Sequence, residues 1–222
     1  MKTIVLLKRG EAGEIAQKSI EDFIQRDNYN PPEEKLIVYD CKTDINKMNL
    51  NYDLLISMNY DKRITAPLER EIPCFNIHLS PLPKYAGYNQ FYWAIRNDEK
   101  NWGITLHQIV YEFDKGDIAQ QITFPISQGE TARSLFDKSL KYIPILIDKN
   151  IEELLYAKKI NLVPQDLSKR TFNTKNSVNF DEEINFDGSE SCWREIRARY
   201  FPPLPSPKIK TSNTNQYETY IK

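Results

Sequence analysis

Cysteine is scarce in this chain, with only Cys41, Cys74 and Cys192 among 222 residues. They are odd in number, widely separated and lack any C-x-x-C or C-x-x-H spacing. That excludes a disulfide framework and a thiolate metal site, and reads as three reduced thiols of a cytosolic protein. Long apolar runs are missing as well. The N-terminus offers only residues 4–7, too few for a signal-peptide core or a membrane span, so the expectation is a cytoplasmic chain with no membrane partner. Charge of one sign is also absent. Thirty basic against 31 acidic residues leave a net charge of −1, no electrostatic footprint for bulk nucleic acid. Against these absences stand 40% hydrophobic and 12% aromatic residues, enough for a sizeable core and too many for disorder. The length suits one domain, or one larger domain with a small appendage.

Residues 3–7 form an almost wholly apolar run ending at Lys8-Arg9-Gly10, the pattern of a buried parallel strand and a loop. Over residues 13–26, Ile15, Ala16, Ile20, Phe23 and Ile24 recur at helical spacing. Further buried strands are expected at 36–39, 53–57 and 74–77. Strands alternating with crossovers indicate a parallel α/β sheet, whose ligands collect at the carboxyl ends of the strands. Lys8-Arg9, Met58-Asn59-Tyr60 and His78 all fall at such ends and should converge. Residues 103–110 alternate as another strand, with Ile104, Leu106 and Gln108 on one face. Residues 91–95 read as part of a buried helix. A long amphipathic helix is expected over 130–155, capped by Thr131, with Ala132, Leu135, Phe136, Leu140 and Ile143 on one face and a kink or boundary at Pro144. After Val163 the texture turns polar. Short β-like patches at 171–172 and 177–180 precede a helix at 192–199, a Pro-rich run at 201–205 and β character around 217–221. The division expected is a catalytic domain over 1–163 and a small, dependent C-terminal appendage over 164–222.

Asn76 and His78 stand two apart at a strand end and so point to one face, a hydrogen-bond donor beside a titratable base. Pro81 and Pro83 stiffen the loop after them. Asp114, in a tight turn before Gly116, can supply a carboxylate. A lone histidine is more often structural than functional. Here the chain's only two histidines share one region, and on the residues alone both readings stand.

Three motifs carry a resemblance. N-x-H-x-S-x-L-P-x-Y-x-G over 76–87, G-x-T-x-H over 103–107 and D-x-G-x-I over 114–118 resemble the folate-dependent formyltransferase family, most fully across residues 53–155. The resemblance implies a Rossmann-like, mostly parallel sheet with helices on both faces, plus a small β-rich C-terminal appendage. It implies N10-formyltetrahydrofolate as formyl donor and Asn76, His78 and Asp114 as catalytic residues. Asp117 competes by proximity, but the D-x-G register favours Asp114. In the implied mechanism a neutral amine attacks the formyl carbon. Asn76 donates to the oxyanion of the tetrahedral intermediate, worth about 3–4 kcal/mol, and His78 takes the amine proton. Asp114 orients His78 or relays the proton through water. Neither a metal nor a covalent intermediate is required. Cys74 reads as packing and His107 as structural. The pterin pocket implied is formed by residues 57–64 and 111–114, with Met58, Tyr60, Ile64, Tyr111 and Asp114 as contacts. Met58-Asn59-Tyr60-Asp61 stands where members often show an A-Y-G-like segment.

The acceptor follows from other segments. Lys8 to Gly13 replaces the Gly-rich phosphate loop of glycinamide ribonucleotide formyltransferases, leaving Arg9 and backbone donors for an anionic group. Methionyl-tRNA formyltransferases carry a distinct basic C-terminal domain, and residues 164–222 show no such basic excess, so a tRNA acceptor is not the expectation. Residues 196–203 resemble the I-R-A-x-x-F-P-P element of nucleotide-sugar N-formyltransferases, in which Tyr200 or Phe201 can stack on a base and Arg197 or Arg199 can meet a pyrophosphate. Lys84, Tyr85, Asn89 and Trp93 are further candidate contacts, Trp93 equally a core residue. The expected substrate is a dTDP- or UDP-linked amino sugar, dTDP-4-amino-4,6-dideoxyglucose being a common type, for surface polysaccharide (O-antigen) synthesis. A homodimer through 164–190 or 208–222 is expected. The alternatives are formylation of glycinamide ribonucleotide or methionyl-tRNA, hydrolysis of the formyl carrier, and a non-catalytic folate- or nucleotide-binding module.

Overall fold

The computed structural model describes residues 1–26, 34–49 and 51–211. The β character expected around 217–221 lies outside them. In chain order the elements are β1 Lys2–Lys8, α1 Gly10–Ile24, β2 Glu34–Asp40, β3 Leu54–Met58, α2 Ala66–Glu69, β4 Cys74–His78, β5 Ala86–Gly87 and α3 Gln90–Arg96. There follow β6 Asn101–Gln108, β7 Ile118–Pro125, α4 Ala132–Leu140, α5 Ile143–Tyr156, β8 Phe172–Asn173, β9 Ile184–Phe186, α6 Glu190–Arg199 and β10 Ile209–Thr211. The central sheet has the order β2-β1-β3-β4-β6-β7. β1 to β4 run parallel, and β6 and β7 add an antiparallel edge.

The apolar run of β1 follows from burial on both sheet faces. Ile4 and Leu6 join the large cluster beneath α1, α3, α4 and α5, while Val5 and Leu7 join a smaller one with Ile45, Leu55, Ile64 and Cys74. All four β1 residues are fully buried, contributing about 1.5–3 kcal/mol each before chain entropy is counted. Leu68 of α2 packs on the smaller cluster, so helices cover both faces unequally. No helix of the described residues is long and apolar enough to cross a membrane.

Several local expectations are corrected. α1 begins three residues earlier than its apolar periodicity, at Gly10. The helix expected over 130–155 is two helices. Thr131 caps α4 in a reciprocal box with Ser134, and Pro144 lies in the first turn of α5, where a missing N–H costs nothing. β7 has no apolar signature because it is the sheet's outer strand and carries Gln120, Gln121 and Thr123. Residues 177–180 make no strand. A turn closed from Ser177 N–H to Thr174 O holds them, and Phe180 meets the Tyr92 ring at 5.6 Å. Pairing passes instead to β9, parallel to β10.

Candidate active site

β4 alternates Phe75 and Ile77 into the large core, which turns Asn76 and His78 to the other side. Its antiparallel neighbour β6 places His107 opposite Asn76 and Thr105 opposite His78. Thr105 is wholly buried. It donates to Ser80 O at 2.7 Å and accepts from Leu82 N–H at 3.2 Å and Gln121 Nε2 at 2.8 Å, fixing the loop after β4.

His107 Nδ1 lies 2.9 Å from Gln108 O, and a carbonyl accepts only, so Nδ1 carries the proton. Nε2 is then an acceptor for the Asn76 amide, Nδ2 to Nε2 at 3.1 Å. This contact decides which way the amide faces and leaves its second N–H without a partner among the described residues. Burial pushes the His107 pKa down to about 4, against the opposing pull of Asp114, so the ring is neutral at neutral pH.

By the same reasoning His78 Nε2 donates to Tyr85 O at 3.0 Å, which makes Nδ1 the acceptor nitrogen of the neutral ring. Nδ1 faces Asp114 Oδ1 at 3.8 Å, close enough for strong electrostatic coupling and too far for a direct hydrogen bond. The same carboxylate oxygen is 3.7 Å from His107 Nε2, and Oδ2 accepts from Gly87 N–H at 2.8 Å. Burial works to raise the Asp114 pKa. The neighbouring imidazoles, the Gly87 N–H and Arg170 outweigh it and hold the carboxyl below its usual range. The D-x-G spacing has a steric cause. A Cβ on Gly116 would stand 1.8 Å from Gln108 O, so only glycine lets this turn close on β6 and bring Asp114, itself at φ 54°, to the histidines.

Beside these groups opens a small cleft of about 80 Å³, continuous with solvent. Tyr60, Ile64, Tyr111 and Asp114 line it, together with Asn76 and His107. Met58 does not: its side chain is fully buried in the core because β3 is buried on both faces, and only its carbonyl is presented, to Arg9 N–H. Arg9 also pairs with Asp61 at 2.9 Å, so the loops after β1 and β3 meet, with β4 next in the sheet. Tyr85 likewise turns inward. Its ring packs on Trp102 and its hydroxyl donates to Glu99 at 2.6 Å, leaving only main chain for the site. Lys84 is 3.7 Å from Glu99. Asn89 donates to Lys175 O at 3.1 Å and the Trp93 indole to Ser177 Oγ at 3.3 Å, so both tie the C-terminal segment to α3. Arg197 pairs with Glu190 and Arg199 with Glu195. Tyr200 accepts from Arg133 N–H, and Phe201 packs on Phe136. Sequence patterns did not mark Gln165 and Arg170, polar residues of an irregular segment that reach the Asp114 turn.

An amide donor, imidazole nitrogens and a carboxylate gathered beside one cleft are groups of the kind that acyl-type transfer between nucleophiles uses. The family model described as Formyl transferase matches residues 14–147, and the chain belongs to that family. The methionyl-tRNA formyltransferase of Fervidobacterium nodosum is 35% identical over 163 residues, 73% of this chain and 50% of that protein. The chain spans about half the length of such curated relatives. Among solved structures, the N-formyltransferase of Helicobacter canadensis in complex with folinic acid and dTDP-3-aminofucose is 25% identical, with a TM-score of 0.71 over 90% of this chain and 81% of that one. A 4-N formyltransferase from Francisella tularensis shares the fold at 19% identity, with a TM-score of 0.76 over 94% and 92% of the two chains.

Proposed function

We propose that this chain transfers the formyl group of N10-formyltetrahydrofolate to the amine of a nucleotide-linked amino sugar, dTDP-4-amino-4,6-dideoxyglucose being the expected type. The observation that carries the sugar is coverage. Likeness to the Helicobacter N-formyltransferase solved with dTDP-3-aminofucose runs through 90% of this chain and 81% of that one. Methionyl-tRNA formyltransferases match over only half their own length. Their 35% identity keeps formylation of methionyl-tRNA as the second reading. The proposal extends to a cytoplasmic homodimer serving surface-polysaccharide (O-antigen) synthesis, and sedimentation velocity tests the dimer.

The cleft suits a folate. Ile64 and Ile109 offer apolar wall, Tyr60 and Tyr111 flat rings, and Asn76 and Asp114 stand at its polar end. When bound, the folate supplies the electrophilic formyl carbon. Asn76, held by His107, directs its remaining amide N–H at the oxygen on which negative charge develops. As the new C–N bond forms, His78 receives the amine proton at Nδ1, the one ring nitrogen not already donating, and returns it to folate N10 as the bond from N10 to the formyl carbon breaks and tetrahydrofolate leaves. Asp114 stabilises the resulting imidazolium across 3.8 Å.

The test incubates the protein with 10-formyltetrahydrofolate and, separately, dTDP- and UDP-amino sugars, glycinamide ribonucleotide, methionyl-tRNA and buffer alone. Formylation of a nucleotide sugar is expected, and turnover confined to methionyl-tRNA would transfer the assignment to the second reading. Asn76→Ala and His78→Ala should each lower kcat at least about a hundredfold. A near-normal His78→Ala enzyme refutes the base.

A further inference from the structure

We infer that residues 163–173 form a strap that positions the catalytic pair, with Gln165 as the residue that sets Asp114. The inference rests on the formyl-transfer reading above. Asp114 sits in a turn whose preceding residues, Tyr111 to Phe113, are exposed, and its backbone adopts a left-handed conformation uncommon for a residue with a side chain. Such a turn needs an outside hold if its carboxylate is to stay at one distance from His78.

The hold comes from about fifty residues further along the chain. Gln165 Nε2 donates to Asp114 O at 2.9 Å and to Gly116 O at 2.7 Å, so both hydrogens of one amide serve this turn. Gln165 Oε1 has no hydrogen-bond partner among the described residues. A flipped amide would set oxygen against two carbonyl oxygens, which fixes the orientation. Arg170 Nη2 adds a third bond, to Phe113 O at 2.9 Å.

Both ends of the strap are themselves anchored. Val163 exchanges two 2.8 Å backbone bonds with Ile118, the first residue of β7. At the other end Thr171 Oγ1 accepts from Tyr85 N–H at 2.7 Å, Thr171 O from Ala86 N–H at 3.0 Å and Asn173 O from Tyr88 N–H at 2.9 Å. Tyr85 O is the acceptor of His78 Nε2–H, and Gly87 N–H donates to Asp114. One segment therefore touches the Asp114 turn on one side and the main chain that orients His78 on the other. Moving it changes the spacing of base and carboxylate, although none of its own residues lines the cleft.

The test is Gln165→Met, equal in length and lacking both donors, with Gln165→Glu as a polar control that accepts but cannot donate. The chain's two histidines give two sets of imidazole signals in ¹⁵N-histidine NMR, readable without substrate. Both variants should shift the His78 signals and lower kcat about tenfold or more, while KM for donor and acceptor stays within about twofold, since displacement by roughly 1 Å slows chemistry more than binding. The pH–rate profile should shift in both as well. Unmoved His78 signals in either variant, or kcat within about twofold of the parent, overturns the strap, whatever happens to the melting temperature. If the parent formylates none of the acceptors, the proposed reaction fails, and the imidazole signals alone then decide the strap.

Discussion

At the scale of the residue, His107 joins stability to pH. Its ordinary pKa of 6.5 falls to about 4 in the fold because burial disfavours the imidazolium. Between those values the unfolded chain binds a proton that the native state refuses, so stability rises with pH through that window and is lost as pH falls through it. A fall of that size corresponds to about 3 kcal/mol. Urea midpoints measured from pH 7 to pH 4 should drop accordingly, and His107→Gln should flatten the slope. A slope unchanged in that variant would put the dependence elsewhere. Asp114 acts lower. Its folded pKa lies below the ordinary 3.8, so its contribution is present above that value and disappears only in stronger acid. The importance of His107 was visible in part, since G-x-T-x-H singles it out. Its bond to Asn76 was not, because that depends on the register between β4 and β6.

At the scale of the element, the D-x-G turn shows how a motif encodes contact. Gly116→Ala would place a methyl group inside the van der Waals radius of Gln108 O, a backbone atom of β6 that cannot step aside. The turn must lift, taking Asp114 with it. The expected result is a loss of kcat of about a hundredfold or more, with a fall in melting temperature in the same variant. Full activity would mean that Asp114 needs no fixed position. The parallel strands and the Thr131 cap were readable because burial on two faces and capping leave local signatures. β7 and β9 were not. An outer strand with polar residues and a three-residue strand paired only with β10 carry no periodicity strong enough to mark them.

At the scale of the whole molecule, the three thiols report how the core is closed. Cys74 lies in the smaller core cluster, where burial pushes its pKa up to about 12, and Cys192 is buried with Ile184, Ile196 and Ile209. Cys41 alone is partly exposed. Iodoacetamide at pH 8 should therefore add one label to the native protein and three in denaturant, counted by intact mass. Labelling of Cys74 in the native state would show that this face of the sheet opens. The boundary expected at residue 163 falls where Val163 bridges to Ile118 and the following residues reach into the site, so the C-terminal segment and the catalytic loops are packed together.

The sequence by itself determined the parallel core, the order of its strands along the chain, and the motifs that carry Asn76, His78 and Asp114. Those depend on local pattern: apolar runs, the two-residue alternation of a strand, and a glycine where a Cβ cannot fit. Tertiary structure alone decided that Met58 and Tyr85 turn inward, that His107 orients the Asn76 amide, and that Gln165 grips the Asp114 turn. Each of these is a contact between residues distant in the chain, set by sheet register and loop closure, and none leaves a mark in local composition.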